Sequence, residues 1–289
     1  MSNAHVKINA TPHIIDNLDE LRQVIRDKKQ ANLTIGFVPT MGYLHEGHLS
    51  LVRQAKQEAD ISVASIFVNP TQFAPGEDFE SYPRDTEADI AKMASVGVDF
   101  VWLPPAEIMY PENASTNIRM SNINEPLEGE FRPHFFHGVA TVVLKLLLQV
   151  QPDIAIFGEK DYQQFLVVKR LVKDMSIPVK ILGGALVRDE NGLALSSRNA
   201  YLNDTDYEIA LSLNRTLFAM KEKLHQGEDI KNVEAWGMKA LTEAGFSEVQ
   251  YCAVRDAETL LPVTGHTKTK RIFAAALVGS TRLIDNIEV

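Results

Sequence analysis

Cysteine is almost missing from this chain. Cys252 stands alone, so no intrachain disulfide can form, and a reducing, cytoplasmic setting is the expectation. Positive charge is also in deficit: 29 Lys and Arg face 38 Asp and Glu, a formal net charge of −9. That balance excludes a general grip on nucleic acid, which needs a basic surface to displace counterions. Any anionic ligand must therefore be held by a local site. Long apolar runs are absent too. The first thirty residues hold Asp16, Asp19, Glu20, Arg22 and Arg26 without an apolar stretch, so no secretory signal is expected there. The longest apolar segment, 138–150, is too short to cross a bilayer and is interrupted by Lys145, so no membrane partner is expected. Val139, Val142, Val143, Leu146, Leu147 and Val150 share one helical face in it, which makes it a core helix. Neither an internal repeat, a low-complexity segment nor an extended linker is visible. Ser2-Asn3-Ala4 reads as an expression remnant.

What is present is ordinary globular material, 45% hydrophobic and 23% charged over 289 residues, enough for two domains. Short β-branched or apolar runs at 33–38, 61–68, 98–102 and 153–158 alternate with helical patterns, and a further strand is expected at 178–182. That grammar predicts an α/β fold with a parallel, Rossmann-like sheet. Residues 103–111, with Pro104, Pro105 and Pro111, are expected to form an irregular connection near the sheet edge. Beyond about residue 186 the pattern changes to two long helices followed by strands at 248–254, 272–278 and 282–287. Thr205 to Glu208 has capping-box spacing for the first of these helices. The expected division is therefore 1–185, binding nucleotide and substrate, and 186–289, a smaller α+β domain packed closely on it.

Four segments carry chemistry. In Pro39-Thr40-Met41-Gly42-Tyr43-Leu44-His45-Glu46-Gly47-His48, a strand meets a helix through a glycine-bearing turn, where backbone N–H groups and the helix dipole favour an anion such as a nucleotide phosphate. The histidines are three apart rather than the four of a zinc-protease helix, and no third ligand is spaced nearby. His48 is also in helical phase with Leu51, Val52, Ala55 and Ala59, so a core-facing histidine remains a reading of that residue. Asn69-Pro70-Thr71-Gln72 lies where the strand at 61–68 ends, and its neutral amides suit hydroxyl and carboxylate groups of a small substrate, though a turn held by Asn-Pro alone would also account for it. Gly158-Glu159-Lys160-Asp161 leaves another strand: Gly158 allows close backbone approach, Lys160 can meet a phosphate, and Asp161 a hydroxyl or metal-bound water, while a solvated Lys/Asp pair at a helix start would look the same. Leu195-Ser196-Ser197-Arg198 offers hydroxyls and a guanidinium fork to a triphosphate, and a helix-capping turn would look the same.

Together these segments, in this order and through the ending Gly279 to Asn286, closely resemble the pantothenate synthetase family, the pantoate–β-alanine ligases. The resemblance implies ATP-dependent ligation in two steps: pantoate attacks the α-phosphate to give pantoyl adenylate and pyrophosphate, and β-alanine then displaces AMP. It implies a requirement for magnesium, with no ligands assigned, and a homodimer whose smaller C-terminal domain lids the site. By motif, Met41, Gly42, Tyr43, Leu44, His45, Glu46, Gly47 and His48 would contact ATP, with Gly158, Glu159, Lys160, Asp161, Val187, Leu195, Ser196, Ser197 and Arg198. The catalytic groups among them would be His48, His45, Lys160, Ser196, Ser197 and Arg198, while Gln72 and Gln164 would hold pantoate. One departure stands out: after Arg132-Pro133 the family usually has a His-Phe pair, whereas here Phe135 takes the histidine's place between His134 and His137. No catalytic role is transferred there. The alternatives are another adenylate-forming or nucleotidyl-transferring enzyme acting on a different small acid, and a non-catalytic nucleotide-binding module.

Overall fold

The computed structural model describes residues 11–74 and 76–289; Ser2-Asn3-Ala4 lies outside them. The chain divides into two compact units. The first comprises Met1–Arg119, His137–Gly158 and Val168–Gly184, and the second Met120–Phe136, Glu159–Val167 and Ala185–Val289.

The first unit is built on β1 (His13–Ile15), β2 (Ile35–Thr40), β3 (Ile61–Ile66), β4 (Phe100–Trp102), β5 (Ile154–Gly158) and β6 (Lys180–Gly184). They form one parallel sheet in the order β1-β4-β3-β2-β5-β6. The crossovers include α1 (Leu18–Gln30), α2 (Glu46–Glu58) and α3 (Thr86–Ser95). The predicted Rossmann-like alternation is what the structure shows, with one addition: β1, only three residues long, forms an edge that periodicity could not reveal. A short helix, α4 (Ala106–Met109), interrupts the expected irregular stretch, starting directly after Pro105, which caps it. Proline is tolerated at that position because the first N–H groups of a helix have no internal partner.

The strand order reverses between β2 and β5, which are direct neighbours through Gly36–Ile154 and Phe37–Ala155. Such a reversal opens a crevice beyond the carboxyl ends of the two strands, the usual ligand position in sheets of this kind. Pro39 lies in β2 although β2 is central. Thr40 turns its carbonyl toward β3, accepting from the Phe67 N–H, so Pro39 faces the opposite side, past the last pairing with β5. Its missing N–H therefore costs no ladder bond.

The remaining helices are α5 (Glu128–Phe131), α6 (Phe135–Val150), α7 (Tyr162–Asp174), α8 (Asp204–His225) and α9 (Ile230–Glu243). In the second unit, β7 (Glu248–Asp256), β8 (Lys270–Val278) and β9 (Thr281–Glu288) make an antiparallel sheet in the order β7-β8-β9. Leu213, Leu217 and Met220 of α8 and Val233 and Leu241 of α9 share one buried cluster with Val254, Ile272 and Leu283 of the strands. The first of these helices starts earlier than its capping-box spacing suggested: Asn203 is the cap, accepting from the Asp206 N–H at 2.9 Å.

Candidate active site

The loop after β2 is held in an uncommon backbone conformation. Gly42 and Tyr43 are both left-handed, with φ +83° and +50°, and Tyr43 must be held there because an L side chain disfavours it. The restraint comes from α3. Asp89 is 1% exposed, and its two carboxylate oxygens accept the N–H groups of Tyr43 and Leu44, each at 2.7 Å. One turn later, Lys92 donates to the Leu44 carbonyl at 2.8 Å and sits over the Tyr43 ring. The N–H groups of Tyr43 and Leu44 are thus satisfied within the protein, ahead of the start of α2 at Glu46.

His45 is the extended N-cap of α2 and His48 stands in the first turn. The His45 N–H donates to His48 Nδ1 at 3.3 Å, and the rings lie 4.1 Å apart, centroid to centroid. Because Nδ1 accepts, a neutral His48 carries its proton on Nε2 and presents that N–H as a donor. The core-histidine reading is not what the fold uses. His48 is half-buried, while Leu49, Leu51, Val52 and Ala55 supply the buried face. Glu46 is exposed and paired with Arg53; the hydrogen bond from Arg53 holds its carboxyl below the ordinary range.

Gln72 comes from the turn after β3 and reaches the same loop. Its Nε2 donates to Met41 Sδ at 3.0 Å, and its Oε1 accepts from Asn69 Nδ2 at 3.0 Å. Asn69 is fully enclosed: Tyr110 Oη donates to its Oδ1 at 2.6 Å, Thr71 Oγ1 donates to the same oxygen at 3.0 Å, and its amide also donates to the Gly138 carbonyl at 3.3 Å. Burial raises the Tyr110 pKa, with Thr71 opposing, so the phenol remains a donor. Gly138 at the start of α6 touches this turn so closely that a Cβ there would stand 2.3 Å from the Thr71 carbonyl oxygen.

In the second unit, Lys160 stands in a 3-10 turn directly after β5, 3.8 Å from Asp161. At Gly158 an added Cβ would meet only Leu51, at 3.7 Å, so packing does not require glycine there. The hairpin of residues 187–195 brings Val187 and Leu195 together, the Leu195 N–H donating to the Val187 carbonyl at 3.0 Å. Ser196 caps the 3-10 turn Ser197–Tyr201 by accepting from the Arg198 N–H at 3.2 Å. The capping reading is thus realised. Neighbouring glutamines on α7 differ. Gln163 is structural, accepting from the Glu128 N–H and donating to the Ile123 and Pro126 carbonyls, whereas Gln164 is half-buried.

The segment with the departure from family pattern is also braced. Glu128 is buried against Arg282, Tyr251 and Arg132. Burial alone would push its carboxyl up; the Arg282 charge, joined by hydrogen bonds from Arg282 and Tyr251, overcomes this and holds it below the ordinary value. The Arg132 guanidinium lies 4.0 Å over the Phe135 ring, and His134 is exposed.

Asp89, Tyr110, Glu128 and Arg271 were not singled out by the sequence reading, and Asp285 and Asn286 entered it only within the matching C-terminal ending, without a role. The only signals were small: Asp89 falls in phase with the buried Met93 on α3, and Asp285-Asn286 interrupts the apolar alternation of β9.

Comparison with known proteins identifies the family and the fold. A family model described as pantoate-beta-alanine ligase matches residues 13–288. The pantothenate synthetase of Bradyrhizobium sp. is 49% identical over 284 residues, covering 98% of this chain and 100% of the relative. That of Hyphomonas neptunium is 47% identical, covering 96% of each. Among solved structures, pantothenate synthetase from Thermus thermophilus superposes with a TM-score of 0.90 at 45% identity, covering 96% of this chain and 99% of that one. Pantoate-beta-alanine ligase from Francisella tularensis, complexed with beta-gamma ATP and beta-alanine, gives 0.80 at 38% identity, covering 96% and 97%. Matched along nearly its whole length by the family model and by relatives close to half identical, the chain belongs to the pantoate–β-alanine ligase family.

Proposed function

We propose that this enzyme joins (R)-pantoate to β-alanine through pantoyl adenylate, releasing pyrophosphate and then AMP, with the side chains above in defined roles. The observation that carries the assignment is the Gln72–Met41 contact, which sets a neutral, fully braced amide against the HxxH loop. A carboxylate held by Gln72 is then presented beside the groups that handle phosphate, and Gln164 supplies a second neutral holder for the hydroxy acid.

In the first step a pantoate carboxylate oxygen attacks the α-phosphorus and the bond to the bridging oxygen of pyrophosphate breaks. Little covalent protein chemistry is needed, so acceleration comes from alignment and from neutralising charge on the leaving group. The His48 Nε2–H, with His45 beside it, together with the Lys160 ammonium, the Ser196 and Ser197 hydroxyls and the Arg198 guanidinium, provides that charge and hydrogen bonding. Met41 to Gly47, Gly158, Glu159, Asp161, Val187 and Leu195 complete the nucleotide contacts in this reading. In the second step the β-alanine amine attacks the acyl carbonyl and AMP departs.

Magnesium, which the family resemblance implies, would supply positive charge against the nucleotide phosphates. Among the described residues no group of three His, Cys, Asp or Glu is gathered to cage a metal. Asp161 is the carboxylate that would hold the ion, through a bound water. The division of labour between 1–185 and 186–289, a cytoplasmic setting and a homodimer belong to the same proposal, supported by the family resemblance and the lone Cys252 thiol.

The test is exchange of labelled pyrophosphate into ATP. It should require pantoate and magnesium but not β-alanine. Exchange without pantoate, or only with an amino acid, would sink the assignment.

A further inference from the structure

β9 carries two polar residues in succession at 3% and 4% exposure, Asp285 and Asn286, and neither has a role in the reaction described above. Each reaches a different loop. Asp285 takes Arg188 in a bidentate pair, Oδ2 to Nη1 at 2.7 Å and Oδ1 to Nη2 at 2.9 Å. Arg188 in turn donates to the Gly192 carbonyl at 3.1 Å and bridges across to Ala194. It thereby fixes the hairpin that leads into Ser196, Ser197 and Arg198. Asn286 serves the other loop: its Nδ2 donates to the carbonyls of Glu159 and Lys160, both at 3.0 Å. Its Oδ1 accepts from Arg271 at 2.5 Å, and Arg271 also pairs with Glu159 at 3.4 Å and stacks 3.9 Å over Tyr162. The two residues are themselves joined, the Asn286 N–H donating to Asp285 Oδ1 at 2.6 Å.

We infer that Asp285 and Asn286 are positioning residues for adenylation, a paired strap that keeps the Lys160 loop and the Ser196–Arg198 loop in mutual register. The inference rests on the reading that these two loops carry the departing pyrophosphate. Apolar residues in a strand would be the more economical choice if cohesion were the purpose, because buried charges and amides are costly unless every partner is supplied. The network is not complete in that sense, since Arg271 Nε is buried with no hydrogen-bond partner. What it does secure is geometry. Asn286 grips Lys160 by its backbone, leaving the ammonium to the ligand, and Asp285 grips the hairpin by Arg188. Donors acting on a leaving group lose most of their effect when displaced by about 1 Å.

The experiment uses Asn286→Asp and Asp285→Asn, near-isosteric changes, with thermal unfolding as a check on the fold. Asn286→Asp removes the donor to both carbonyls, and Asp285→Asn weakens the hold on Arg188. Pyrophosphate exchange should slow by about tenfold or more in each, with the pantoate KM within about twofold. Amide formation from supplied pantoyl adenylate should fall far less, because no pyrophosphate leaves in that step. A double-mutant cycle then separates positioning from cohesion. On a Lys160→Ala background Asn286→Asp should cost at most about twofold more, and likewise Asp285→Asn on Arg198→Ala. Fully additive losses, or equal losses in both half-reactions, overturn the inference. Should an isostere fail to fold, Asn286→Ser and Asp285→Ser enter the same cycles. If Lys160→Ala and Arg198→Ala slow exchange while both isosteres are silent, the strap alone is refuted. If Lys160→Ala and Arg198→Ala leave exchange intact, the reading of those loops falls with it.

Discussion

Replacing Asp89 by asparagine tests how much of the HxxH loop's geometry is imposed from α3. The carboxylate accepts two backbone N–H groups at 2.7 Å each. Hydrogen bonds to a charged acceptor contribute about 1.5–3 kcal/mol apiece. The amide keeps one acceptor and turns an NH2 toward the other N–H, so one bond is lost and replaced by a donor–donor contact. The left-handed Tyr43 then loses part of what holds it, at φ +50°, against an intrinsic cost of about 1–2 kcal/mol. Some of this is recovered as the loop relaxes, leaving an expected loss of about 2–3 kcal/mol in stability. Urea unfolding followed by circular dichroism reads that loss as a lowered midpoint. The same displacement moves Met41 and His48, so pyrophosphate exchange should drop by about ten- to a hundredfold, at 1.4 kcal/mol per decade. A variant that unfolds at the wild-type urea concentration and exchanges at the wild-type rate would show Asp89 to be a bystander. One that is destabilised yet exchanges normally would show that α3 stabilises the loop without setting its catalytic geometry.

His48→Ala should slow adenylation by about a hundredfold or more, the scale of losing one preorganised donor, and spare amide formation from pantoyl adenylate; equal loss in both steps with the fold intact would contradict the role. Gln72→Ala should weaken pantoate binding in calorimetry by roughly five- to more than a hundredfold, from about 1–3 kcal/mol, with ATP binding in the absence of pantoate unchanged. Gly138→Ala should act on the same pocket from behind: its Cβ meets the Thr71 carbonyl oxygen at 2.3 Å, an overpacking cost of about 1–3 kcal/mol, so pantoate KM should rise, and an unaltered KM would deny the coupling. Glu128→Gln leaves Arg282 without its buried counter-charge and should cost about 3–5 kcal/mol near neutral pH. Because the folded carboxyl sits below its ordinary value, that stability is present above the unfolded value of about 4.3 and is lost as pH falls through the folded one. The gap between wild type and variant in urea unfolding should therefore narrow below about pH 4; a gap that stayed constant or widened in acid would reverse the sign of the argument.

The alternation of apolar runs and helical patterns is a local signal, and it made the parallel sheet, the change of grammar near residue 186 and the four loop segments legible before any coordinates. What stayed hidden is held by partners distant along the chain. Nothing near Asp89 announces that its carboxylate belongs to Tyr43 and Leu44, 46 and 45 residues away. Asn286 belongs to Glu159, 127 residues earlier, and Glu128 to Arg282, 154 residues later. β1 was invisible because three residues cannot display a period, and the true cap Asn203 because its neighbour Thr205 offers the same chemistry two positions on.

The adjacency of β2 and β5 also governs the order in which this molecule can be made. A chain growing from its amino end produces β2, β3 and β4 and can pair them at once through local crossovers. The far edge of β2, however, stays open until residue 153 has emerged, when Asp153 accepts the Ile35 N–H across 118 positions. Closing that span costs about 4 kcal/mol of chain entropy beyond a constant, by the logarithmic dependence on loop length. Until then the nascent protein exposes Ile35-Gly36-Phe37-Val38, an apolar strand edge of the kind that invites pairing with other chains. Fragments that stop short of β5 therefore carry the aggregation hazard that the finished fold conceals.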